Sequence, residues 1–113
     1  MSVSLTEDAV RAKTKTVTRR LGWLMLKPGD RVTLCRKVMG RRNGEPLVRI
    51  CDVEIVDVRR EQLNDITFED VEREGFPDWG PFTFVDFFCR THKGCNEDTE
   101  VTRIEWRYLD GET

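Results

Sequence analysis

The stretch from Val48 to Val58 constrains this fold more than any other part of the chain. It is rich in β-branched residues, and its apolar positions change parity twice: Val48 and Ile50, then Cys51 and Val53, then Val56 and Val58. In a regular strand, side chains two apart share a face, so a change of parity needs an extra residue, a β-bulge. Bulges bend and twist the strand that carries them. A long bent strand of this kind belongs in a small curved sheet or barrel.

The flanking pattern supplies the rest of such a sheet. Arg31 to Val38 alternates, with Val32, Leu34 and Val38 on one side and Arg31, Thr33, Cys35 and Lys37 on the other. The polar connection Met39–Pro46 carries Arg41, Arg42 and the turn pair Asn43-Gly44, which predicts a bent hairpin with a basic tip. Thr99 to Leu109 alternates again, with Ile104, Trp106 and Tyr108 against Arg103, Glu105 and Arg107. Three helical segments are expected. Thr6 is the N-cap of a short helix with Glu7 and Asp8 in its first turn. Thr67-Phe68-Glu69-Asp70 reads as a capping-box start to a helix that stops at Gly75. Phe84, Phe87 and Phe88 have the spacing of a helix face packed in a core. Between the first helix and the hairpin, Arg11–Arg20 is too basic and too β-branched for a long helix and reads as a loop or short extended piece. The class is α+β, a small curved sheet with two or three short helices.

A chain of 113 residues suits a single domain over 1–113, and its six Phe and three Trp argue against disorder. No apolar run approaches the roughly 20 residues of a membrane span, and Met1–Leu5 lacks the features of a secretory signal. These points read as a soluble, cytoplasmic protein with no membrane partner. The net charge of −2 conceals a division: the balance is +7 through Arg60 and −9 after it. That division suggests a basic surface able to meet phosphate, facing away from an acidic one, although solvated charge without a partner gives the same pattern. Cys89-x-x-His92-x-x-Cys95 fits no common zinc spacing, so the four cysteines read as reduced and structural, and no metal or cofactor is expected. His92 is the only histidine, which excludes mechanisms that need two.

The order of these pieces resembles an ASCH domain, a member of the PUA-like superfamily of small β-barrels associated with RNA. Lys15-Thr16-Val17-Thr18-Arg19-Arg20 resembles the family's Lys-Thr-x-Thr-x-Arg segment, and Pro28-Gly29-Asp30-Arg31-Val32 its Gly-Asp turn into a barrel strand. Leu63–Thr67 followed by Glu72–Phe76 resembles its helix ending in Glu-Gly-Phe, and Val101–Trp106 its closing strand. The resemblance runs from about residue 4 to about residue 109 and looks closest to small stand-alone proteins of phages and actinobacteria, which would place a phage protein in its host's cytoplasm.

The resemblance implies a PUA-like curved barrel that binds RNA or a modified nucleoside in a basic cleft beside the Lys-Thr-x-Thr-x-Arg segment. Lys13, Lys15, Arg19, Arg20, Arg41 and Arg42 would contact it, with Trp79 stacking on a base. A partly buried core position is the other reading of Trp79, and of Trp23. One bacterial branch of the family hydrolyses the acetyl amide of N4-acetylcytidine with a Lys, a Thr and a Glu. By motif these are Lys15, Thr18 and Glu74, with Glu72 as the alternative if the register slips. Such chemistry asks Thr18 to attack, a Lys15 of lowered pKa to take its proton, and Arg20 to meet the oxyanion or a phosphate. Lys15 and Thr18 point to opposite faces of a straight strand, so the role requires a turn or bulge at Thr16-Val17. Glu74 falls where a helix C-terminus disfavours an acid, which invites Lys15 or Arg20 as partner. A third reading is a host-directed protein-binding module that uses the acidic second half.

Overall fold

The structure, a computed structural model, describes residues 1–36 and 48–109. Its sheet has four antiparallel strands, β1 (Val17–Arg20), β2 (Arg31–Arg36), β3 (Val48–Gln62) and β4 (Glu100–Tyr108), in the order β1-β4-β3-β2. Three helices accompany it, α1 (Glu7–Arg11), α2 (Phe68–Arg73) and α3 (Pro81–Thr91), with 3₁₀ turns at Ser4–Thr6 and Leu63–Asp65. The sheet curls into a half-barrel, as the α+β reading expects. The expected hairpin tip, with Lys37, Arg41, Arg42 and Asn43-Gly44, lies outside the described residues.

β3 is the spine, and its two bulges fall where the apolar parity changes. Leu34 pairs with Cys51 and Cys35 with Arg49, so Ile50 is the extra residue. Ile55 pairs with Trp106 and Asp57 with Glu105, so Val56 is the second extra residue, and it is exposed. The second bulge lets Ile55 and Val58, three apart, both meet the first hydrophobic cluster. That cluster joins Val3, Val10, Leu34, Val53, Ile55, Ile104 and Trp106. A second one joins Leu63, Ile66, Val71, Phe84, Phe88 and Val101 beneath α2 and α3.

The expected helices are present, with two adjustments. Thr67 caps α2 by accepting from the Asp70 backbone N–H at 3.2 Å, but Asp70 does not complete a capping box; its carboxylate turns to arginines. Thr6 stands at the N-cap of α1 without a capping bond, because the chain enters through the preceding 3₁₀ turn. α1 is tied down by Glu7, which accepts from Arg11 and Arg36 and has its pKa lowered to about 2 by those hydrogen bonds. The alternation predicted for β4 fails at Val101–Ile104, where four successive residues are buried. The face bearing Arg103 is covered rather than solvated. Among the described residues, no helix is long and apolar enough to cross a membrane.

Candidate functional site

The chain reaches the site through a sharp turn. Beyond the end of α1, Lys13 adopts the left-handed region (φ 62°), and the backbone N–H groups of Thr14 and Lys15 both bond the Ala9 carbonyl. Lys15 therefore precedes β1 instead of lying in it. Its carbonyl accepts from the Trp106 indole at 3.1 Å and from the Tyr108 hydroxyl. Lys15 and Thr18 line the same cavity without the expected turn or bulge at Thr16-Val17: Val17 opens β1 in unbroken register, and the chain turns earlier, between Ala9 and Lys13. The cavity volume is about 430 Å³, in the range of small-molecule sites.

Lys15 is buried, and its Nζ donates to the Glu74 main-chain carbonyl at 2.6 Å and to Glu74 Oε1 at 3.1 Å. Burial pushes the Lys15 pKa below its ordinary 10.5; Arg20 and Arg19 push the same way, and Glu74 opposes them. A neutral amine has two N–H groups, matching these two acceptors, and keeps a lone pair for a proton. Glu74 is the C-cap of α2, and its partners are Lys15 and Arg19, not Arg20. Gly75 follows it at φ +111°, packed so closely that a Cβ would lie 3.2 Å from Ala9 and 3.3 Å from Thr6. Glu72, the alternative acid, is exposed and does not line the cavity.

Two adjacent arginines have different tasks. Arg19 is buried and holds three carboxylates: Glu61 at 2.7 Å, Asp70 at 2.7 Å and Glu74 at 3.2 Å. Its cross-strand partner is Arg103, also buried, which grips Asp70 through Nε at 2.6 Å and Nη2 at 3.1 Å. Two arginines directly opposite each other would repel, and Asp70 between them removes the conflict. Burial alone would raise the Asp70 pKa, but the hydrogen bonds from Arg103 and Arg19 outweigh it and hold the carboxyl well below the usual range. Arg20 makes no ion pair among the described residues. Its Nη2 donates to the Ser2 carbonyl at 2.6 Å and its Nε to Thr18 Oγ1 at 3.2 Å, leaving Nη1 without a partner among the described residues; Arg20 lines the cavity. The Thr18 hydroxyl donates to no described residue, so its proton is available.

The remaining walls are largely apolar, with Ser2, Ser4, Thr6 and Thr91 among them. Phe76, Phe84, Phe87 and Phe88 line one side, with His92 at the end of α3, and Val3 and Leu5 line another. Trp79 does not line the cavity. It stacks on Phe76 at 4.2 Å and meets Phe87 edge-on, which places it in the packing behind the aromatic wall. Trp23 is half-buried against the first cluster. Lys13 is exposed and does not line the cavity.

Among the described residues, part of the charge division is internal pairing between the halves. Arg11 and Arg36 pair with Glu7, Arg19 with acids from β3 and α2, and Arg60 with Glu100. Arg73 and Arg103 add further bonds to Asp70. Glu61, Asp70 and Arg103 escaped the sequence reading, since α2's first turn suggested only capping for Asp70 and strand alternation put Arg103 in solvent. The four cysteines are reduced, and among the described residues no group of three His, Cys, Asp or Glu is placed to hold a metal.

No protein-family model and no curated protein matches the chain. Its structure is similar to the crystal structure of an ASCH domain from Lactobacillus crispatus JV V101, with a TM-score of 0.64 and 19% identity, over 92% of this chain and 70% of that one. The chain has an ASCH-like fold.

Proposed function

Proceeding from that fold, we propose that this protein is an amidohydrolase that removes the acyl group from N4-acylated cytidine-type nucleosides. The observation that carries this reading is the meeting of Lys15, Thr18 and Arg20 with Glu74 at one cavity of nucleoside size, with Lys15 biased toward its neutral form.

Neutral Lys15 takes the Thr18 proton as Thr18 Oγ1 bonds to the amide carbon, and the carbonyl electron pair moves onto oxygen. The unpartnered Nη1 of Arg20 faces that developing charge. Glu74, bonded to Lys15 Nζ, stabilises the ammonium that forms. Collapse of the adduct breaks the carbon–nitrogen bond, and Lys15 returns the proton to the leaving exocyclic amine. A cytosine ring suits this step because it delocalises the electrons left on nitrogen. Water, deprotonated by Lys15, then attacks the acyl ester, and the Thr18 oxygen departs with that proton while a carboxylic acid is released.

The charge arrangement supports the neutral lysine. Arg19 and Arg103 already pair with Glu61, Asp70 and Glu74, and the nearby charge of Arg20 also disfavours a second cation at Lys15. The same geometry weighs against an extended RNA-binding cleft, since the Lys15 amine and the Arg19 guanidinium are buried against carboxylates.

Purified protein incubated with N4-acetylcytidine should yield cytidine, and Lys15→Ala and Thr18→Ala should abolish the yield. Binding of the nucleoside without turnover would reduce the site to a receptor. RNA binding that weakens steeply with salt and with Arg20→Ala would favour the nucleic-acid reading instead.

A further inference from the structure

We propose that His92 is a specificity residue that accepts a hydrogen bond from the substrate's ribose, so that the site selects a nucleoside over the free acylated base. The proposal rests on the amidohydrolase reading for the identity of the ligand, and on the fixed state of one imidazole ring for the contact.

His92 caps the C-terminus of α3 and lines the cavity. Its ring stacks on buried Phe88, with centroids 3.9 Å apart and planes 10° apart. Nδ1 lies 2.9 Å from the Phe88 carbonyl oxygen, which can only accept, so Nδ1 must carry a proton. The Thr91 hydroxyl, 3.0 Å from Nδ1, donates to the carbonyls of Phe87 and Phe88 and presents its oxygen to the same Nδ1–H. In the neutral ring Nε2 is then an acceptor, and no described residue supplies it with a donor. Stacking and the Nδ1 bond hold that acceptor in place before any ligand arrives.

The chemistry of the ligand selects what meets it. The base of an N4-acylated cytidine offers acceptors at N3 and O2, which Nε2 cannot pair with. The amide N–H is bonded to the carbon that Thr18 attacks, and His92 shares no hydrogen bond with Lys15, Thr18 or Glu74. The donors left are the sugar hydroxyls. Along α3 the other cavity-facing side chains are Phe84, Phe87 and Phe88, which have no polar atom, and Thr91, whose proton is engaged. His92 therefore places on that wall a ring nitrogen that no described residue engages, able to accept from a hydroxyl.

The test compares N4-acetylcytidine with N4-acetylcytosine on the wild type, His92→Phe and His92→Gln. Phenylalanine keeps the stack and removes the nitrogen; glutamine restores an acceptor at similar reach. The preference for nucleoside over base in kcat/KM should fall about five- to tenfold in His92→Phe, the range of one lost hydrogen bond, and recover in His92→Gln. An unchanged preference, or an equal loss on both substrates, overturns the proposal. If the wild type hydrolyses neither amide, the amidohydrolase reading fails and the contact is still read directly. Cytidine titrated into ¹⁵N-histidine-labelled protein should move the single Nε2 resonance, and cytosine should not. An Nε2 that responds to neither, or equally to both, overturns it.

Discussion

Lys15 and Glu74 are 59 positions apart in sequence, yet one ammonium nitrogen bonds both the main-chain carbonyl and the side-chain carboxylate of the same glutamate. That double contact locks the end of α2 to the segment entering β1. It also gives a buried lysine two acceptors from one residue, which suits an amine that alternates between carrying a proton and lending a lone pair.

The lysine should control the pH dependence. A base acts in its unprotonated form, and burial lowers the Lys15 pKa from 10.5. Hydrolysis of N4-acetylcytidine should therefore rise with pH through the folded-state value of Lys15 and level off at a pH below 10.5. Lys15→Arg, permanently charged, should lose about 10²–10⁴-fold in kcat and the rising limb with it. A rate that follows the same pH profile in that variant would remove Lys15 from the role of base.

The neighbouring arginines should separate stability from catalysis. Arg19→Ala leaves Glu61, Asp70 and Glu74 short of a buried cation and should cost about 3–5 kcal/mol in urea unfolding. Arg20→Ala breaks no ion pair among the described residues, so it should unfold nearer the wild type while losing about 10²–10³-fold in kcat. Equal stability losses, with catalysis intact in Arg20→Ala, would reverse these assignments.

Asp70 should shape the acid limb of stability. Its folded pKa lies below the unfolded value of about 3.9, so the unfolded chain takes up the proton first as pH falls. Stability from this group is complete above about pH 5 and is lost on acidification through the unfolded value toward the folded one. Asp70→Asn should destabilise by about 3–5 kcal/mol at neutral pH and flatten that limb. Thermal melts between pH 3 and 7 on both proteins would show it.

Gly75 should be intolerant for two reasons. Its φ of +111° strains any L side chain, and a Cβ there would press on Ala9 and Thr6. Gly75→Ala should destabilise by more than about 1 kcal/mol and, by displacing Glu74, lower activity beyond what the lost stability explains.

Much of the sheet was legible because its signals are local. The parity changes in β3 place bulges at Ile50 and Val56, and the apolar spacing of Phe84 and Phe88 puts both in the second cluster. The Asp70–Arg19–Arg103 arrangement was not legible, since it joins three elements, and each residue alone has an ordinary local explanation. The charge division was only partly informative for the same reason: composition counts charges without showing that Arg19 and Arg60 of one half pair with acids of the other. Lys15, Thr18 and Glu74 came from family resemblance, and residue spacing contributed only the expectation of a turn or bulge at Thr16-Val17, where β1 begins without one. The chain turns instead before Lys15, at Ala9 and Lys13.

The central claim is that Thr18 attacks an N4-acyl amide in the cavity beside Lys15, Glu74 and Arg20. Acid quenching during turnover of N4-acetylcytidine, followed by peptide mass mapping, tests it most directly. The account predicts an acetyl group on Thr18 that accumulates as cytidine is released, both absent in Thr18→Val. Cytidine release that persists in Thr18→Val, or acetyl found on Lys15 instead, would contradict it.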